Sequence, residues 1–215
     1  MHLSNWLVFC SVTFLVTFSP GPGVLLAVSN AMSLGMRRAV MSSLGNASGL
    51  VILSAVAMAG MGAVLAVSAV AFTVLKVCGA VYLIYLGIKQ WRSKAVMLAA
   101  VTQSAAVGGP EVAIDNRKLF AQGLGVALTN PKAILFFSAL FPQFITADAP
   151  VPQQAVVLTL TFVVFSLLSH AFYVLLARAF KGQLAQPRKQ QLFNKTSGSL
   201  FVLLGLSLLR LQNKA

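Results

Sequence analysis

The chain has 215 residues, 58% of them apolar and only 9% charged, where a soluble domain averages about 25% charged. Mean hydropathy is +0.87, and 16 Lys+Arg against 3 Asp+Glu give a net charge of +13. These values exclude an ordinary soluble enzyme, a disordered tail and a secreted disulfide domain, and they leave a polytopic α-helical membrane protein. Charge-free runs predict the elements in chain order. Residues 3–36 and 39–75 carry no charge, and 77–88 is separated from them only by Lys76. A polar stretch over 89–118 contains Gly108-Gly109-Pro110. Apolar sequence resumes over 119–147, interrupted only by Lys132, and continues over 149–177 and 196–209. A helix needs about 20 residues to cross the hydrocarbon. The runs therefore predict six transmembrane helices at about 4–34, 39–65, 70–91, 119–146, 152–179 and 192–212. Barrel strands would need apolar–polar alternation, which is absent. The first basic residue is Arg37, so no positive region precedes the first run, which reads as a retained span rather than a cleaved leader.

The positive charge is distributed as a membrane topology requires. Arg37, Arg38, Lys89, Arg92, Lys94, Arg117, Lys118, Arg178, Lys181, Arg188, Lys189 and Lys195 flank the loops between spans 1–2, 3–4 and 5–6. The other side holds only Lys76, Arg210 and Lys214. Those three loops are expected to be cytoplasmic and both termini periplasmic. This placement explains the basic charge better than nucleic-acid binding, since aromatic residues do not interleave with the basic ones. Cys10 and Cys78 stand one to a run, with no CxxC or Cys/His spacing, so neither a metal site nor a disulfide framework is expected. No catalytic constellation of a soluble enzyme is present, and no cofactor is expected.

Two pairs of segments suggest an internal repeat. The break motif Thr17-Phe18-Ser19-Pro20-Gly21-Pro22-Gly23 lies in span 1, and Ala127-Leu128-Thr129-Asn130-Pro131-Lys132-Ala133 lies in span 4, with the prolines 111 residues apart. Gly79-Ala80-Val81-Tyr82-Leu83 in span 3 resembles Gly198-Ser199-Leu200-Phe201-Val202 in span 6, at an offset of 119. Two halves of three helices each would be inverted in the membrane. The expected organisation is a first repeat over 1–91, a cytoplasmic linker over 92–118 and a second repeat over 119–215.

Proline removes a backbone donor and clashes with the preceding turn. Helices 1 and 4 are thus expected to break at Pro20–Pro22 and Pro131. A broken helix offers N–H groups and a positive dipole end, which suit a carboxylate. The candidate substrate-binding residues are Ser19, Pro20, Gly21, Pro22, Gly23, Asn46, Thr129, Asn130, Pro131, Lys132 and Tyr82. Two proline kinks without a ligand remain the plain alternative. A lysine at mid-span costs about 2.5–3.5 kcal/mol. Lys132 is therefore either an anchor at the site or a side chain that snorkels to an interface. Glu111, Asp115 and Asp148 all fall in loops, so a cationic substrate or a metal would find no buried carboxylate. A zwitterion, a neutral derivative or an anion is expected. His170 is the candidate proton carrier, or a core histidine bonded to a neighbouring helix. Gly45 and Gly49 form a GxxxG pair suited to close helix packing.

Together with Gly79 to Gly87, Ala139 to Ile145 and Gly198 to Phe201, the two break motifs resemble the LysE/RhtB family of small amino-acid exporters along nearly the whole chain. The last two stretches resemble its homoserine/homoserine-lactone branch. The resemblance implies a secondary-active exporter in the bacterial inner membrane, driven by the proton motive force. Its expected substrates are homoserine, its lactone, threonine and similar neutral amino acids, and it leaves room for a homo-oligomer. Two positions depart from relatives: Leu50 and Ser166 stand where several of them carry acids. The proton's carrier therefore does not follow from the resemblance. Two rival functions remain: a membrane thiol-electron relay through Cys10 and Cys78, and a scaffold without transport.

Overall fold

The computed structural model describes residues 2–67, 69–92, 115–146 and 149–179, with helical pairs at 191–192, 195–196, 198–199, 202–203 and 205–206. Every regular element among the described residues is helical: α1 (Leu3–Phe18), α2 (Pro22–Ser33), α3 (Met36–Val67), α4 (Ala69–Arg92), α5 (Asn116–Thr129), α6 (Pro131–Leu135) and α7 (Val151–Ala179). α3 and α7 are each long and apolar enough to cross a membrane. The pair α1 and α2, and the pair formed by α5 with 131–144, each pass the same test together, bent by 51°, as a broken span or a re-entrant loop.

The boundaries follow from local chemistry. Pro22 and Pro131 stand in the first turns of α2 and α6, where the missing N–H costs no hydrogen bond. Asp115 caps α5 by accepting from the Arg117 amide, so this helix starts three residues ahead of the expected span at 119. Gly35, at φ +90°, takes the left-handed position that ends α2 and lets α3 begin. The segment expected as the fourth span is less regular than its apolar run suggests. After α6 the chain makes a π-helical turn over Phe136–Leu140 and a 3-10 turn over Phe141–Phe144. Pro142 sits in that last turn and cannot donate to an α-helical ladder.

Two parallel helix pairs organise the core. On α3 and α5 the backbones touch. A Cβ on Gly45 would collide with the Phe120 carbonyl, one on Gly123 with the Ser42 carbonyl, and one on Gly49 with Ala127. Contacts advance together along both chains, so α3 and α5 run parallel, each starting beside a basic pair, Arg37-Arg38 and Arg117-Lys118. On α1 and α7, side chains rather than glycines make the seam. Trp6 Nε1 donates to Thr161 Oγ1 at 3.2 Å, Phe14 meets Phe165, and Phe18 meets Phe172. These contacts also advance together, so α1 and α7 are parallel. α4 meets the last described residues in the opposite sense, Gly87 against Gly198 and Ala80 against Gly205.

Phe9, Phe136, Phe137, Phe141, Phe144 and Phe162 fill the largest buried cluster with Val16, Leu50, Leu83 and Leu158. α7 exposes large apolar side chains and buries most of its polar ones beside Leu158 and Phe162. Val156, Leu160, Val164, Leu168 and Phe172 are exposed, whereas Ser166, Ser169, His170 and Tyr173 are buried. A soluble helix has the reverse arrangement. Hydrocarbon outside, where no water competes for the exposed faces, accounts for it.

Candidate functional site

The last turn of α1 leaves carbonyls without helical partners, as every helix end does. Here other helices supply donors to nearly all of them. Ser169 Oγ on α7 donates to the Thr17 carbonyl at 2.7 Å, and Tyr173 OH donates to the Phe18 carbonyl at 2.6 Å. Lys132 Nζ reaches across from α6 and donates to the Val16 carbonyl at 2.8 Å and the Ser19 carbonyl at 2.6 Å. The remaining one, Leu15, accepts from the Ser19 amide. A cation at a helix C-terminus is favourable because the dipole is negative there, and charge-assisted bonds are the stronger kind. Lys132 therefore does not snorkel. Its ammonium turns inward and ties the second break to the first.

The second break is closed locally. Asn130 Oδ1 accepts from the Lys132 amide at 3.1 Å, capping α6, and Thr129 Oγ1 donates to the Gly125 carbonyl one turn back. Tyr82 OH lies 3.5 Å from the Pro131 carbonyl. The N-terminus of α2 has no side-chain cap. Gly23 and Val24 of its first turn line a cavity of about 40 Å³, room for about three waters or the polar end of a small ligand.

That cavity lies between the breaks. Gly21, Gly23, Asn46, Asn130, Lys132 and His170 line it, so six of the residues expected from the sequence come together. Ser19 contributes its carbonyl through Lys132. Pro20, Pro22 and Pro131 shape the breaks without lining the cavity, and Thr129 and Tyr82 also stay outside its wall. Sequence reasoning gave no binding role to Val16, Thr17, Val24, Leu50, Ala133, Phe162 or Ser166, which complete the wall. It likewise gave no donor role to Ser169 or Tyr173, although Tyr173 was a candidate to line a cavity. The one available signal was spacing: Ser166, Ser169, His170 and Tyr173 fall on one face of an otherwise apolar helix.

The polar groups of the wall are positioned individually. His170 Nδ1 is 3.1 Å from Ser43 Oγ, which turns Nε2 toward Gly23. A Cβ on Gly23 would stand 2.9 Å from Asn46 Oδ1 and 3.2 Å from His170 Nε2, so only glycine leaves these two groups their place. Asn46 is 5% exposed, and its Oδ1 faces Gly23 at the cavity wall. No carboxylate is among the lining residues, and no cluster of metal-ligating residues occurs among the described residues. Cys10 and Cys78 are free thiols, the first half-buried and the second exposed.

Residues 14–212 match the LysE type translocator family. The homoserine/homoserine lactone efflux protein of Salmonella typhimurium is 35% identical over 206 residues, covering 95% of this chain and 96% of that protein. An uncharacterized membrane protein of Vibrio cholerae is 32% identical over 208 residues, 97% of this chain and 98% of its own. The leucine efflux protein of Salmonella typhimurium is 32% identical over 148 residues, 69% of this chain and 66% of that protein. No solved structure matches the fold. The chain thus belongs to the LysE family of translocators, as a multi-pass membrane protein of bacterial efflux type and a transporter rather than an enzyme.

Proposed function

We propose that the protein exports small neutral amino acids or their derivatives, of the homoserine, threonine and leucine kind, across the bacterial inner membrane by proton-coupled alternating access. The observation that carries this reading is the cavity between the two breaks. On one wall stands the carbonyl end of α1, and on the other the uncapped amide end of α2. Opposite dipole ends facing one small space suit a zwitterion. The absence of a carboxylate from the wall argues against a cationic side chain.

The architecture proposed with it has six spans in two inverted halves, 1–91 and 119–215, joined by a cytoplasmic linker. The parallel pairing of α3 with α5 beside two basic clusters supports cytoplasmic loops there. The antiparallel approach of Gly87 to Gly198 supports the inversion. So does Lys132, which follows Pro131 as Gly21 follows Pro20, and whose Nζ stands 3.1 Å from where a Gly21 Cβ would be. One side chain fills the space shared by two equivalent positions. Residues 93–114 of the linker and most of the sixth span lie outside the described residues.

Counterflow in proteoliposomes tests the reading. Vesicles loaded with homoserine are expected to take up labelled homoserine, threonine or leucine, and not lysine. Lysine uptake would overturn the argument from the missing carboxylate, and no uptake of any of the four would overturn the substrate class.

A further inference from the structure

In transporters built on broken helices, the carbonyl end of a half-helix is where a coupling cation binds. In this protein that position is filled from within. Lys132 Nζ donates to the Val16 and Ser19 carbonyls, two of the freed groups at the end of α1, from the opposite break. An ammonium has three hydrogens, so one is left for the cavity that Lys132 lines.

We infer that Lys132 is a tethered counter-ion that carries the coupling proton, and that it competes with the substrate's ammonium for the Val16 and Ser19 carbonyls. This rests on the transport reading above. The competition follows from the geometry. A zwitterion whose carboxylate meets the start of α2, where Gly23 and Val24 line the cavity, brings its ammonium toward the α1 carbonyls, where Lys132 already sits. Two positive charges cannot share that pair of acceptors. The Lys132 ammonium gives up its proton to the water of the cavity and withdraws as a neutral amine. When the substrate leaves on the far side, the amine regains a proton there and returns to the carbonyls. Substrate and proton thus occupy the site in turn, which is the order an exporter driven by inward proton flow requires. A lysine can make this exchange and an arginine cannot, because the guanidinium stays charged.

Other titratable groups around Lys132 are His170 and Tyr173 on α7 and Tyr82 on α4. Tyr173 OH is committed to the Phe18 carbonyl, and His170 Nδ1 to Ser43 Oγ. Tyr82 faces the Pro131 carbonyl. Asp115, the only acid among the described residues, caps the start of α5. None of these donates to an α1 carbonyl vacated by a moving cation.

The test is proton release on binding. Homoserine is added to detergent-solubilised protein in weak buffer with a pH indicator. Wild-type protein is expected to release about one proton per homoserine bound, and Lys132→Arg less than about a tenth of that. Proton uptake, or equal release from the arginine variant, would overturn the inference. A second measurement needs only the wild type. An imposed pH gradient is expected to drive homoserine accumulation in proteoliposomes, and a sodium gradient is not. Accumulation on the sodium gradient would overturn the inference, because a free cation would then hold the carbonyls. Wild-type counterflow without proton release sinks the role of Lys132 alone, whereas absent counterflow sinks the transport reading.

Discussion

The two breaks look alike in sequence and are stabilised in opposite ways. The first, at Ser19–Gly21, is held from a distance, by Ser169 and Tyr173 on α7 and by Lys132 on α6. The second, at Asn130, is held by its own residues, the Asn130 side chain and the Thr129 hydroxyl. A locally capped break keeps its shape whatever its neighbours do. A break capped by other helices changes when those helices move. The first break therefore depends on α6 and α7 for its hydrogen bonds and the second does not, with Lys132 as the link between them.

The helix seams repeat the contrast. α3 and α5 meet backbone to backbone through Gly45, Gly49 and Gly123, a contact with little room to slide. α1 and α7 meet through rings of Phe14, Phe18, Phe165 and Phe172, which can change rotamer without loss of contact. The seam made by side chains is also the one that supplies donors to the first break.

The sharpest way to break this comparison is Lys132→Ala. It leaves the Val16 and Ser19 carbonyls without their charged donor, so the thermal midpoint should drop in line with a loss of about 1.5–3 kcal/mol, and homoserine counterflow should fall at least about tenfold. Unchanged counterflow would mean that the two breaks are not linked. Gly23→Ala comes next. Its new Cβ displaces Asn46 and His170, so counterflow should fall about tenfold while the size-exclusion profile of the purified protein is kept. Tyr173→Phe and Ser169→Ala each remove one donor from the first break. Thermal unfolding should register about 1 kcal/mol for each, and the double variant should show more, since they serve one turn. Asn130→Ala removes a cap, worth about 1 kcal/mol, but should leave accessibility of cysteines placed along α1 unaltered; a change there would mean that the first break depends on that cap too. The smallest effect belongs to Tyr82→Phe. Its hydroxyl stands 3.5 Å from the Pro131 carbonyl, too far for a strong bond, so the midpoint should stay within about 0.5 kcal/mol of wild type.

Sequence by itself determined the helical membrane class, because hydrocarbon leaves an unbroken apolar run no other way to satisfy its backbone. It also determined where helices 1 and 4 break, since Pro20, Pro22 and Pro131 remove donors wherever they stand. The irregular end of the expected fourth span was half legible: Pro142 marked the place, while the π turn before it depends on how the phenylalanines pack. Only the tertiary structure decided what the polar residues do. Thr129 and Asn130 are neighbours in the same motif, yet one bonds its own helix and the other lines the cavity. Ser169 and Tyr173 serve carbonyls more than 150 residues away in the chain, and no local pattern reports such a pairing. Lys132 is the clearest case. Its charge at mid-span announced that a partner was needed, but the partner is a pair of backbone carbonyls, which every residue carries. Their availability at Val16 and Ser19 arises when a broken helix end and a folded second half meet in space.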